Sequence, residues 1–123
     1  MEKLPAQLTE EEHKQYDAAA EKLAKELSVS KVHVVVQIHP ETLERKVCYL
    51  KEPNYSTKIR VMDQATQLGV YTAAEQLREA SVIKEASDAI TYSESPESDD
   101  YKLGIVDYCL SMVNRLQNQF KKK

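Results

Sequence analysis

The sequence predicts a small α+β domain with an N-terminal helix, an antiparallel β-hairpin, and a three-helix C-terminal half packed on the hairpin. The strand signal comes from one stretch, KVHVVVQIHPETLERKVCYLKEP at 31–53, in which apolar residues alternate with others. The helix signal comes from apolar residues at helical spacing on both sides of that stretch. A chain of 123 residues with 41% hydrophobic residues normally forms one domain with its own core, so residues 1–123 are expected to be a single domain.

An N-terminal helix is expected within residues 9–30, after a flexible N-terminus at 1–8. Thr9 and Glu12 have the spacing of a capping box, in which each side chain bonds the backbone amide of the other residue. The apolar residues that follow at helical spacing are Tyr16, Ala20, Leu23 and Leu27. This pattern predicts a helix from about Glu10 to Leu27, with one apolar face.

Residues 31–52 are predicted to form the hairpin. In an extended chain, Val32, Val34, Val36 and Ile38 share one face, and His33, Val35 and Gln37 share the other. The second strand is the run Val47–Leu50. A lone two-stranded hairpin is marginal in water, and both of its faces carry apolar residues. The helices of this chain are expected to cover one face. Two hypotheses then remain for the free strand edges: pairing with another chain, or simple exposure to water.

Residues 54–123 are predicted to be helical. Asn54 or Ser56 caps a helix that ends at Gly69. Its expected inward residues are Ile59, Met62, Ala65 and Thr66. Thr72 and Glu75 have the spacing of a second capping box, which predicts where the next helix begins. The segment 81–91 fits both helical and extended spacing poorly, and its structure stays open.

An exposed acidic loop is predicted at 92–100, because this segment is polar and contains Pro96. The longest helix then runs from Asp99 or Asp100 to about Phe120. Its broad apolar stripe predicts contact with the core, or with both the core and a partner. The stripe consists of Leu103, Ile105, Val106, Cys109, Leu110, Met112, Val113, Leu116 and Phe120.

Composition excludes several classes of function. A net charge of −3 gives no electrostatic reason to expect a nucleic acid or a membrane as partner. The N-terminal sequence lacks the apolar run of a secretory signal, and the two cysteines are expected to be reduced thiols in a cytosolic compartment. Two glycines cannot build a phosphate-binding loop or a dinucleotide fingerprint.

Candidate chemical sites are weak. His33, His39 and Cys48 could approach each other on the hairpin, but their spacing matches no known metal-ligand pattern. Cys48 or Cys109 could pair with a histidine as a nucleophile, yet the sequence offers no orienting group or oxyanion loop. The acidic residues are better explained by helix capping and a solvated loop than by a calcium site. We therefore predict no metal, no cofactor and no enzymatic activity.

From Val47 onward, the chain resembles a family of small proteins in tailed bacteriophages and prophages of gut Bacteroidetes. The similar features are VCYLKEPN at 47–54, a helix with Met62 and Ala65, and TAAEQL at 72–77. An acidic break with Asp99-Asp100 and a terminal amphipathic helix complete the pattern, which covers about two thirds of the chain. Members of this family are usually assigned as tail-assembly chaperones or related virion-assembly proteins.

The resemblance implies a non-enzymatic protein that binds other proteins, such as tail or virion proteins, in the bacterial cytoplasm or the virion. A tail-assembly chaperone would hold a long, helical tail-length-determining protein soluble through an apolar surface. The alternatives are a structural virion component, such as a head–tail connector or tail subunit, and a small cytosolic homodimeric interaction module. Homo-oligomers through the hairpin edge are also possible. The predicted protein-binding residues are Val35, Leu50, Leu110, Val113 and Leu116.

Overall fold

A computed structural model describes residues 7–118 and confirms the α+β fold class. The helices are α1 (Glu10–Leu27), α2 (Tyr55–Gln67), α3 (Val70–Ser81) and α4 (Pro96–Asn118), and the strands are β1 (Val32–Ile38) and β2 (Arg45–Lys51). A short 3₁₀ turn at Ala89–Thr91 precedes α4. The predicted end of the last helix at Phe120 and most of the predicted flexible N-terminus lie outside the described residues.

The predicted capping box starts α1. The amide of Glu12 donates to Thr9 Oγ1 and the amide of Thr9 donates to Glu12 Oε1, each over 3.1 Å. The Glu12 carboxylate also accepts a hydrogen bond of 2.9 Å from Arg45 Nε, which ties the start of α1 to the start of β2. The helix ends at Ser28, whose backbone is left-handed (φ 55°), and the chain then turns into β1.

The two strands pair antiparallel, with Val32 opposite Lys51 and Ile38 opposite Arg45. The amide of Glu52 donates to Lys31 O over 2.9 Å just outside the strands. Since hydrogen-bonded pairs alternate along an antiparallel ladder, the odd-numbered residues of β1 face the backbone of β2. The two faces of the sheet therefore carry the two sets of side chains that the alternation predicts.

Helices of this chain cover both faces of the sheet, so the expectation that they cover one face is wrong. Helix α1 packs on the first face, where Ala20 contacts a cluster with Val32, Tyr49 and Ile83. The short turn after α1 leads directly into β1, and this connection lays the helix back over the strand. The other face packs on α3 and α4, and α2 packs against these two helices in the same core.

The main core lies between the sheet and the C-terminal helices. Its buried members are Cys48, Leu50, Val61, Ala65, Ala73, Ala74, Leu77, Ile105, Val106, Cys109, Met112 and Val113. In α2 the buried residues are Val61 and Ala65, whereas Ile59 and Met62 are 45% and 39% exposed. Thr66 is exposed as well. The predicted inward face of α2 was thus wrong at three of its four positions, because apolar residues occur on both sides of this helix.

Two predicted helix starts were also wrong. Helix α3 begins at Val70, directly after Gly69 (φ 104°), and has no side-chain cap at its N-terminus. Glu75 instead forms an ion pair with Arg78. Helix α4 begins at Pro96, inside the predicted acidic loop, because proline suits the first helical position and acidic residues suit the first turn.

Candidate protein-binding site at the sheet edge

The outer edge of β2 is closed by the segment that follows α3, which the sequence left open. The amide of Ile83 donates to Tyr49 O over 2.9 Å. The amide of Tyr49 donates to Ser87 Oγ over 2.9 Å, and the amide of Val47 donates to Asp88 Oδ2 over 2.7 Å. The Asp88 amide donates back to Val47 O over 2.9 Å. This segment, residues 82–88, therefore satisfies the backbone of β2 without forming a regular third strand.

The outer edge of β1 is different. The N–H and C=O groups of Val32, Val34, Val36 and Ile38, which we call the β1 edge, point away from β2 because the odd-numbered residues face it. Within residues 7–118, none of these backbone groups has a hydrogen-bond partner. Such a row of donors and acceptors is a template for pairing with a further strand.

Open clefts lie beside both ends of the β1 edge. At the start of the strand, an open cleft of about 460 Å³ is lined by Asp17, Ala20 and Glu21 of α1 and by Tyr108 of α4. At the far end of the strand, a second open cleft of about 590 Å³ runs from Gln37 to α4. The clefts lie at the two ends of the seven-residue strand.

A partly buried cluster beside the first cleft links β1 to α4. The His33 side chain lies on the inner face, and its Nδ1 is 2.9 Å from the Tyr108 hydroxyl. Its Nε2 is 2.5 Å from Glu52 Oε2, and Lys58 Nζ lies 3.5 Å from the other oxygen of that carboxylate. Because an ionised carboxylate only accepts hydrogen bonds, Nε2 of His33 carries the hydrogen and donates it.

The charges around Glu52 stabilise the ionised form of its carboxylate. Burial raises the pKa of Glu52, but the hydrogen bond and charge of His33, together with Lys58, outweigh it and lower the pKa below its usual value. Burial raises the pKa of Tyr108. The raised pKa favours the protonated hydroxyl of Tyr108, which can both donate and accept a hydrogen bond.

The two cysteines lie in the core and have no exposed surface. Burial, and secondarily the neighbouring Cys48, raises the pKa of Cys109 to about 12, and burial also raises the pKa of Cys48. A thiol acts as a nucleophile when it is ionised and accessible, so neither group is activated in this fold.

Within the described part of the chain, no three His, Cys, Asp or Glu side chains come close enough to hold a metal ion. His33, His39 and Cys48 are therefore not brought together. No helix between residues 7 and 118 combines the length and the apolar character that crossing a bilayer requires.

The five residues predicted to bind a protein are not gathered on one surface. Leu50 and Val113 are fully buried in the main core, so in this fold they offer no contact area. Val35 and Leu110 are half-buried and pack against the same core. Leu116 is half-buried and lines a cleft of about 450 Å³ beside Glu52. These positions were chosen for apolar character, which core and contact residues share.

Sequence reasoning missed the backbone of the β1 edge, the Glu52–His33–Tyr108 cluster and the cleft that Asp17 and Glu21 help to line. The alternation in β1 could have indicated the edge groups, because it separates even-numbered from odd-numbered residues. It could not have told which set faces β2, since that depends on the register. Tyr108 is 75 residues away from His33, and no local pattern links them.

The chain was compared with protein-family models, with curated protein sequences and with solved structures. None of the three comparisons gave a match. The similarity to bacteriophage assembly proteins stays a prediction from sequence.

Proposed function

We propose that the protein acts by binding another protein strand along the β1 edge. The observation that carries this proposal is the row of backbone groups at Val32, Val34, Val36 and Ile38, which has an open cleft at each end and no partner among the described residues. Strand addition satisfies such groups with main-chain hydrogen bonds, while pockets beside the edge select side chains.

The composition of the two strands supports this proposal. β1 has five aliphatic residues among seven, yet Val32 alone of these is fully buried, and the rest are half-buried. β2 carries charged residues at both ends, and its Cys48, Tyr49 and Leu50 are all buried. The core of one chain thus explains the apolar residues of β2 better than those of β1, and a partner strand would account for the difference.

The biological setting of this binding is proposed from the sequence resemblance. The protein would be a non-enzymatic tail-assembly chaperone of a bacteriophage, acting in the cytoplasm of the bacterial host. A structural role in the virion, or a small cytosolic homodimeric module, uses the same edge and remains the alternative. A terminase, portal or tape-measure gene nearby would support the phage setting. Mass spectrometry of purified particles separates the two phage roles, because a structural subunit stays in the virion and a chaperone does not.

Amide hydrogen exchange tests the binding edge directly. In the dilute protein, the amides of Val34 and Val36 should exchange fast, whereas the amides of His33 and Val35, which face β2, should exchange slowly. A partner that binds through an extended segment, such as a non-helical stretch of the co-expressed tail-length-determining protein, should slow exchange at Val34 and Val36. A complex that forms without protecting these two amides would rule out strand addition at this edge.

Val36→Pro is the matched variant. It removes one outward N–H and leaves the β1–β2 ladder intact, since proline is tolerated at edge positions whose N–H faces outward. Val36→Thr is the control, because it keeps the N–H and the β-branched shape. The proline variant should fold and lose binding, and the threonine variant should keep binding. Equal binding by both variants would contradict the proposal.

A further inference from the structure

We infer that the strand that pairs with β1 is β1 of a second copy, antiparallel, with Val35 on the two-fold axis. This inference rests on the proposed strand addition and names its partner. It is carried by the self-complementarity of the strand VHVVVQI, which reads almost the same in both directions around Val35. Its ends are Val32 and Ile38, and its polar residues are His33 and Gln37.

Hydrogen-bond geometry restricts the register. Only the even-numbered residues present their N–H and C=O groups outward, so hydrogen-bonded pairs across the new interface must join even to even. Placing the axis at Val35 pairs Val32 with Ile38 of the second copy and Val34 with Val36 of the second copy. Together with their symmetry mates, these pairs use every N–H and C=O of the β1 edge.

Shifted registers satisfy fewer groups. A slip of two residues in one direction sets Val32 opposite Pro40, which has no N–H to donate. A slip in the other direction sets Ile38 opposite Ser30, which lies outside the strand. A slip of one residue would join outward groups to inward groups and lose the hydrogen bonds altogether. The register centred on Val35 is therefore the one that uses the whole strand.

The side chains also match across the axis. On the face that carries α1, valine and isoleucine meet valine and isoleucine. On the other face, Val35 meets Val35 of the second copy, and His33 lies opposite Gln37 of the second copy. Apolar cross-strand pairs of this kind stabilise antiparallel sheets, and no like charges face each other within the strand. The resulting interface is isologous, as expected for a two-fold dimer.

The strand also lacks the usual features that prevent edge pairing. Soluble proteins protect an edge strand with a lysine, a proline or a bulge. Val32–Ile38 contains neither residue type, its pairing with β2 is continuous, and none of its residues has a positive φ. By contrast, the edge of β2 is occupied by residues 82–88. Two copies would thus join into one four-stranded sheet with the order β2–β1–β1–β2.

Mass in solution gives the first test. Light scattering should show a mass that rises with concentration from 14.1 kDa, the mass of one chain, towards about twice that value. Val36→Pro should stay at one chain mass with an unchanged circular dichroism spectrum, and Val36→Thr should behave like the wild type. A dimer that survives Val36→Pro would overturn the inference.

Disulfide cross-linking tests the register. Val35 and its symmetry mate form a pair without hydrogen bonds, with Cα atoms about 4.5 Å apart, which a disulfide can span. In a Cys48→Ala background, which removes the thiol opposite Val35, the Val35→Cys variant should form covalent dimers on air oxidation. Val34→Cys in the same background should not, because Val34 lies opposite Val36 of the second copy. The reverse pattern would overturn the proposed register.

The measured mass and the amide exchange together distinguish self-pairing of β1 from strand addition by a different chain. A protein that is monomeric at every concentration overturns self-pairing. If an added partner then slows amide exchange at Val34 and Val36, strand addition stands, with a different chain as the partner.

Discussion

The two strands of the sheet have the same length but opposite surroundings. β2 has its outer backbone bonded by residues 82–88 and its central residues Cys48, Tyr49 and Leu50 buried. β1 has more aliphatic residues but is mostly half-buried, and its outer backbone has no partner within the described chain. The number of apolar residues in a strand therefore does not tell how many of its side chains are buried in the core. The difference indicates that β2 contributes more to the core, while the outer backbone of β1 is left without a partner among residues 7–118.

The largest expected effect comes from shortening the inward-facing side chains of the two strands. Leu50→Ala removes a fully buried side chain of β2 and should destabilise the protein by about 2–5 kcal/mol. Val35→Ala removes fewer atoms from a half-buried position in β1 and should cost less than about 2 kcal/mol. Urea unfolding of dilute protein measures both. Equal losses would mean that β1 contributes to the core as much as β2 does.

The second largest effect on stability is expected at the outer edge of β2, which residues 82–88 close. Asp88→Ala removes the side-chain acceptor of the Val47 amide and should cost about 1–3 kcal/mol, because a partly buried donor loses its partner. Exchange of the Val47 amide should become faster. Asp88→Asn keeps an acceptor oxygen and serves as the control. If the Val47 amide exchanges at the same rate in the alanine variant, residues 82–88 do not close this edge as described.

A smaller effect comes from the cluster that holds β1 to α4. The pKa of Glu52 is lower in the folded protein than its usual value of 4.5, so the unfolded chain binds its proton more readily. The stability that results is present above about pH 4.5 and is lost as pH falls through the folded pKa.

Glu52→Gln tests this contribution. The variant should be less stable than the wild type by about 1 kcal/mol at pH 7, since the carboxylate is partly exposed and its ion pairs are screened. The gap between the two proteins should shrink as pH falls towards 3, because the wild type then loses its charge. Denaturant unfolding at several pH values measures the gap. A gap that is constant with pH would show that the charge of Glu52 does not stabilise the fold.

The smallest effect lies where β1 meets α4. A Cβ at Gly104 would overlap the side-chain amide of Gln37, which donates a hydrogen bond of 3.1 Å to Tyr101 O. In the wild type, Gly104→Ala gains about 1 kcal/mol of helix propensity but displaces this amide, so the net change should be near zero. In a Gln37→Ala background, the same substitution should stabilise the protein by about 1 kcal/mol. A double-mutant cycle without coupling would mean that the two groups do not meet.

Some features could be read from the sequence because they depend on neighbours in the chain. The capping box at Thr9 and Glu12 set the start of α1, and its bounds, Glu10–Leu27, are those predicted. Asn54 was one of two predicted caps and is the cap of α2. The alternation from Val32 to Ile38 sorted the side chains onto the two faces of the sheet. Local hydrogen bonds and side-chain periodicity decide these features within a few residues.

Other features were decided by contacts between distant parts of the chain. The buried face of α2, the covering of both sheet faces and the closing of the β2 edge by residues 82–88 depend on packing that no short pattern encodes. The same holds for Leu50 and Val113, whose apolar character suits a core and a binding surface equally. The sequence by itself determined the elements and the sorting of side chains onto the sheet faces, because these follow from local geometry. The tertiary structure alone decided which strand edge is occupied, because backbone groups are satisfied by whichever segment packs beside them.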